Sequence, residues 1–142
     1  MKKLLALLAL ASVLLYSCDK EKVIKAEDLP AKSTGYISTH FPARTIVQVV
    51  KDRNELNFTY HVYLDNQTLL DFNRDGDIQR IEGTTALPAT VLPVIIINYV
   101  NTNYPTAEIY SWNPESTNQY VGLSNGLSLE FDTNGNFLRI KG

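Results

Sequence analysis

Two stretches of this chain repeat each other in order, and that constrains the fold more than any local propensity. Leu29, Pro30, Tyr36, Thr39, Pro42 and Ile46 recur 63 residues later as Leu92, Pro93, Tyr99, Thr102, Pro105 and Ile109. After a gap of four residues the offset becomes 59, and Val62, Leu64, Asn66, Leu70, Phe72, Gly76, Arg80, Ile81 and Gly83 recur as Val121, Leu123, Asn125, Leu129, Phe131, Gly135, Arg139, Ile140 and Gly142. The pattern predicts two tandem units, residues 29–83 and 92–142, joined by a linker over 84–91 that holds Pro88.

Each unit opens with a helix signal. Asp28 is placed to cap, Pro30 suits a first turn whose N–H groups lack partners anyway, and Tyr36, Ile37 and Phe41 recur at helical spacing before Pro42 ends the run. In the second unit Val94-Ile95-Ile96-Ile97 is β-branched and favours a strand on propensity alone. Leu92-Pro93 nevertheless stands where Leu29-Pro30 stands, and Ile96, Tyr99, Val100 and Tyr104 form an apolar helical stripe. The repeat therefore predicts a helix here too, with the β-branched cluster as its most buried part. The remainder alternates with period two. Ile46 to Val50 and Glu108 to Trp112 begin the strands, Tyr60-Val62-Leu64 and Gln119-Val121-Leu123 follow, and turns at Asp65-Asn66 and Ser124-Asn125-Gly126 lead to Leu70/Phe72 and Leu129/Phe131. A last turn at Arg74-Asp75-Gly76 or Thr133-Asn134-Gly135 precedes Ile78 to Ile81 or Phe137 to Ile140. The expected fold class is α+β, with one helical segment and four antiparallel strands per unit.

The first residues carry an address. Met1-Lys2-Lys3 is cationic, Leu4 to Leu15 is an apolar run of twelve, and Ser17 precedes Cys18, which reads as an export signal over residues 1–17. A bilayer-spanning helix needs about 20 apolar residues, so cleavage fits better than retention. The ending Leu15-Tyr16-Ser17-Cys18 resembles the lipobox of bacterial lipoproteins, which implies lipid attachment at Cys18. Tyr16 departs from the small residue usual there. Residues 18–28, charged and poor in large apolar groups, read as a tether that holds the domain off a membrane. Cys18 is the single cysteine, so an anchored chain has no thiol for catalysis or metal ligation. Without Lys2 and Lys3 the chain from residue 18 carries 11 basic and 15 acidic side chains, a balance of −4. That is not the basic stripe of a nucleic-acid binder.

The run LPxxxxxYIxxxxP, then YxVxLxNG, then FDxxGxxxxIxG resembles the PepSY-like family of exported bacterial proteins, whose fold is akin to β-lactamase inhibitory protein. The resemblance covers nearly all of residues 29–142. It implies two tandem units, each with a helical segment packed on one face of a four-stranded antiparallel sheet, the two sheets forming a curved surface. It also implies a cell-envelope address in a Gram-negative bacterium, periplasmic or surface-facing, and a docking rather than a catalytic role. None of the inhibitor's contact residues is transferable.

The sharpest motif is Asp71-Phe72-Asn73-Arg74-Asp75-Gly76-Asp77-Ile78-Gln79-Arg80-Ile81-Glu82, which places Asp71, Asn73, Asp75, Asp77 and Glu82 as the oxygen donors of a calcium loop with Gly76 at its sharp turn. The second unit has Lys141 where the bidentate Glu82 stands, and both flanks alternate like strands. A β-hairpin accounts for both copies, so no metal and no cofactor is expected, with a calcium-responsive envelope module as the alternative. His40 and His61 are replaced by Asn103 and Tyr120 in the other copy, and no catalytic residue is assigned. Asp75 and Asp77 at a turn tip are poorly placed to raise a pKa.

Function is sought where the copies differ: Val47/Tyr110, Val49/Trp112, His61/Tyr120 and Tyr63/Gly122. Tyr and Trp anchor interfaces more than other side chains do. The expected binding face comprises Tyr110, Trp112, Tyr120, His61 and Tyr63, on a non-enzymatic lipoprotein that captures a protein or peptide through its open sheet, with inhibition of that partner as one form of capture. Alternation alone leaves open whether Tyr110 and Trp112 face out or join the core.

Overall fold

The computed structural model describes residues 20–54 and 57–141. Its elements are β1 (Glu21–Ile24), a 3₁₀ turn (Ala26–Asp28), α1 (Ala31–His40), β2 (Ile46–Arg53), β3 (Phe58–Leu64), β4 (Leu69–Asn73) and β5 (Ile78–Glu82). A second 3₁₀ turn (Ala89–Val91) leads to α2 (Val94–Asn103), β6 (Ile109–Pro114), β7 (Asn118–Leu123), β8 (Ser128–Asp132) and β9 (Phe137–Lys141). All nine strands lie side by side in chain order, each antiparallel to the next.

This corrects the expected fold class. In place of two four-stranded sheets there is one nine-stranded sheet, mostly β, with two short helices. The seam is β5 against β6, where Ile81 pairs with Trp112 and Glu82 with Ser111. The linker continues it, because Gly83 N–H donates to the Tyr110 carbonyl and Leu87 N–H to that of Ile109, both at 2.8 Å. Alternation within a strand reveals which face is apolar but says nothing of its lateral neighbour, and joining two sheet edges removes exposed backbone groups. The expected tether is corrected as well. Its residues 21–24 form β1, with Val23 opposite Val50 and Ile24 opposite Val49. Charged side chains are typical of a short edge strand, which is why β1 read as a linker. Cys18 and the leader lie outside the described residues.

The helices form where the repeat placed them. Pro30 and Pro93 sit at the N-cap, their extended ψ letting the carbonyl accept from the first turn: Pro30 O takes Ser33 N–H at 2.9 Å and Pro93 O takes Ile96 N–H at 3.0 Å. Asp28 makes no cap bond, since it belongs to the preceding 3₁₀ turn. Both helices pack on one face of the sheet, through Ile37 in α1 and Phe41 at its C-cap, and through Ile96 and Val100 in α2. The β-branched cluster is not the most buried part of α2: Ile96 is fully buried, but Val94 and Ile95 are 70% and 44% exposed. Beneath the helices lie Val62, Leu70, Phe72 and Ile81, then Val121, Leu129 and Phe131, all inaccessible to solvent. Tyr36 meets the edge of Phe72, and Tyr99 that of Phe131. Burial pushes the Tyr36 phenol well above its ordinary pKa.

The β4–β5 and β8–β9 turns press against the first turn of each helix. Gly76 and Gly135 both adopt φ +86°, a region side chains resist, and both lack room for a Cβ. At Gly76 a Cβ would lie 3.0 Å from Pro30 Cβ and from Ser33 Oγ; at Gly135 it would collide with Ile95 Cγ2. The glycine thus lets the hairpin tip dock under the helix.

Candidate functional site

The face opposite the helices is uncovered, and register defines what it presents. Val50, His61, Asp71 and Arg80 stand side by side across β2 to β5, and Asn113, Tyr120, Glu130 and Arg139 across β6 to β9. Each row is organised around a carboxylate. Asp71 accepts from Arg80 Nε at 2.7 Å and bonds His61 Nδ1 at 2.6 Å, while His61 Nε2 lies 4.0 Å from Asp52. Glu130 accepts from Arg139 Nε and Asn118 Nδ2, each at 2.5 Å, and from the Tyr120 hydroxyl at 3.5 Å. Asp71 and Glu130 are 6% and 3% exposed although they stand on an open face, because the long arginine side chains lie over them. The hydrogen bond from Arg139 holds the Glu130 carboxyl below its usual range, burial opposes this, and the Asn118 bond adds to it. A carboxylate so held is ionised and saturated with donors, which suits recognition and not proton transfer.

The expected binding residues divide. Tyr63 stands on the open face, 39% exposed, between Gln48 and Leu69. His61 and Tyr120 occupy equivalent places in the two rows, half-buried, and Lys141 Nζ lies 4.2 Å from the centre of the Tyr120 ring. Trp112 does not belong there. It is 9% exposed within the core, and its indole N–H donates to Gln119 Oε1 at 3.0 Å. The reason is an irregularity between Ile109 and Ser111, which leaves Ile109 and Trp112 packed on the helix side and brings Ser111 against Gly122. Tyr110 is half-buried within this bulge, and β2 has the same one between Ile46 and Gln48, with Val47 63% exposed. Simple alternation misassigns residues on either side of such an extra residue. The sequence signal for the Asp71–Arg80 and Glu130–Arg139 pairs is an acid followed nine residues later by arginine, which recurs in both halves.

The 71–82 segment is the β4–β5 hairpin, and its Asp71, Asp77 and Glu82 carboxylates are taken up by protein partners. Asn73 Oδ1 accepts the Asp75 and Asp77 N–H groups at 3.0 and 2.9 Å, Asp77 pairs with Lys32, and Glu82 accepts from Arg80 Nη1 at 3.2 Å. The Lys32 bond leads the causes that hold Asp77 below the usual carboxylate range. Among the described residues no group of three or more His, Cys, Asp or Glu side chains converges as a metal site would require. A calcium loop needs six or more converging oxygens, whereas here Asp77 is held by Lys32 and Glu82 by Arg80. His40, at the end of α1, bonds Thr90 Oγ1 at 2.9 Å and packs on Tyr36.

The fold is thus a long antiparallel meander with helices on one face and a structured polar face on the other. Residues 58–139 match the family described as "putative beta-lactamase-inhibitor-like, PepSY-like", and the chain belongs to that family. No curated protein matches it. Among solved structures it is similar to a Bacteroides thetaiotaomicron protein described as a putative calcium-regulated periplasmic protein, with TM-score 0.83 and 26% identity over 87% of this chain and 98% of that one. A putative periplasmic protein of Bacteroides vulgatus gives TM-score 0.81 and 29% identity over 88% and 99% of the two chains. A second Bacteroides vulgatus protein, of unknown function, shares the fold at 24% identity and TM-score 0.81, over 86% and 99%. None of these descriptions names an enzyme.

Proposed function

We propose that the protein is a non-enzymatic periplasmic module that captures a protein or peptide on its open sheet face, anchored by lipid at Cys18. The observation that carries this reading is the pair of saturated charged rows, Asp71 with Arg80 and Glu130 with Arg139, on the uncovered face. They fix a rigid, polar, complementary surface that loses little side-chain freedom on binding. His61 and Tyr120 stand within those rows and Tyr63 beside them, and they supply the larger contacts. The periplasmic address follows the descriptions of the Bacteroides neighbours, and the anchor follows the leader.

A photo-crosslinking residue in place of Tyr63 on the open face, or of Ile95 on the helix side, tests the reading in intact cells. A discrete adduct is expected from position 63 and not from position 95; the reverse pattern would refute it. The 71–82 sequence and the description of the Bacteroides thetaiotaomicron neighbour favour a second reading, a calcium response of the β4–β5 hairpin. It requires the hairpin to release Lys32 and Arg80, and calorimetry with calcium that shows heat in the parent and none in Glu82→Gln would establish it.

A further inference from the structure

We propose that a cationic patch on the helix side of β1 to β3 seats the domain on an anionic phospholipid surface. This goes beyond the open-face reading, and its choice of a bilayer rests on the lipid anchor proposed with that reading. Three cations gather on one aromatic ring: Lys51 Nζ lies 4.2 Å from the centre of Phe58, Arg53 Cζ 5.1 Å and Arg74 Cζ 5.7 Å. Lys51 and Arg53 also line a hollow of about 420 Å³ with Lys20, Lys22, Ile24 and a single carboxylate, Asp28. Among the described residues none of these five basic side chains has a carboxylate within ion-pair distance. The carboxylates of Glu21 and Asp52 lie on the alternate positions of β1 and β2, toward the other face.

Like charges repel, and the π face of Phe58 offsets only part of that repulsion. Such a cluster is an attractive site for a surface of phosphates. It is also foreign to the scaffold. The β6–β7 hairpin has the register of β2–β3, yet sets Pro114 against Gln119 where β2–β3 sets Lys51 against Tyr60. Thr133 follows β8 where Arg74 follows β4. The fold is thus built once without these cations, in a chain whose net charge is −2.

The choice of a lipid surface rests on charge and on where the chain leads. Lys20 belongs to the patch, and the apolar run Leu4 to Leu15 and Cys18 precede it directly. From Cys18 to Lys20 the chain spans at most about 7 Å. Whatever part of that segment meets a bilayer does so beside the cations, and the open face is then turned away from the lipid.

The test reconstitutes the full chain in phosphatidylcholine vesicles with or without phosphatidylglycerol, then labels lysine amines and reads each site by mass spectrometry. Lys22 and Lys51 should be protected at least fivefold relative to Lys141 on the far edge strand, with phosphatidylglycerol only. The protection should vanish in about 1 M salt, where screening falls to about 3 Å. In the K51Q/R53Q/R74Q variant the protection of Lys22 should be lost, each cation being worth about fivefold in binding. Equal labelling in the two vesicle types overturns the proposal, and the native chain alone delivers that result should the variant misfold. Equal protection by inorganic phosphate without vesicles also overturns it, in favour of a soluble anion.

Discussion

Ile81 and Ile140 hold the same place in two hairpins that share leucine, phenylalanine, glycine and arginine at matching positions, yet one is fully buried and the other is 48% exposed. Both face the helix side, Ile81 opposite Leu70 and Ile140 opposite Leu129. They differ in what lies beyond. Ile81 has Trp112 of β6 as its outer neighbour, whereas β9 ends the sheet. A side chain's place on a strand therefore sets its face, and the next strand sets its burial. The same comparison explains why Trp112 is core: it is the residue that closes the seam over Ile81.

This contrast can be broken or sharpened by substitution. Ile81→Ala should cost about 4 kcal/mol in urea unfolding, as expected for a buried aliphatic truncated under good packing, whereas Ile140→Ala should cost about 1 kcal/mol. Equal costs would mean that the β5–β6 seam is not formed. A smaller effect distinguishes the two carboxylate rows. Glu130 is held below its usual range in the folded chain, chiefly by Arg139, so the unfolded chain binds more protons as the pH falls through that range. Stability is then full above about pH 5 and declines toward acid. Arg139→Gln should flatten that decline in urea midpoints measured between neutral and acid pH; an unchanged slope would remove Arg139 as the cause. The smallest effect concerns the β3–β4 and β7–β8 turns, where Gln67 adopts φ +65° and Gly126 holds φ +86°. Gln67→Gly should raise stability by about 0.5 to 1 kcal/mol in thermal melts, since glycine takes that conformation without steric cost.

Much of this was legible in the residues. The alternation of Tyr60, Val62 and Leu64 and of Gln119, Val121 and Leu123 marks positions that are all buried. The helix over Val94–Asn103 forms despite its β-branched start, because Pro93 sets the N-cap and Ile96 and Val100 supply an apolar stripe that tertiary packing rewards. The hairpin reading of 71–82 was legible from its second copy, which lacks the glutamate. The site was less so: His61, Tyr63 and Tyr120 stand on the open face, but the acids that organise it were visible only as parts of a calcium pattern and a repeat.

The sequence by itself determined the two helices and the strands β2 to β9, the apolar face of β3, β4, β7 and β8, the glycines at the hairpin tips and the family. Those follow from local geometry, from a period of two or 3.6 residues and from backbone freedom. Only the tertiary structure decided that the halves share one sheet, that residues 21–24 join it, that a bulge sends Trp112 inward, and that Arg80 and Arg139 close over Asp71 and Glu130. Each of those depends on which strand lies beside which, and lateral neighbours are chosen by pairing of edges far apart in the chain.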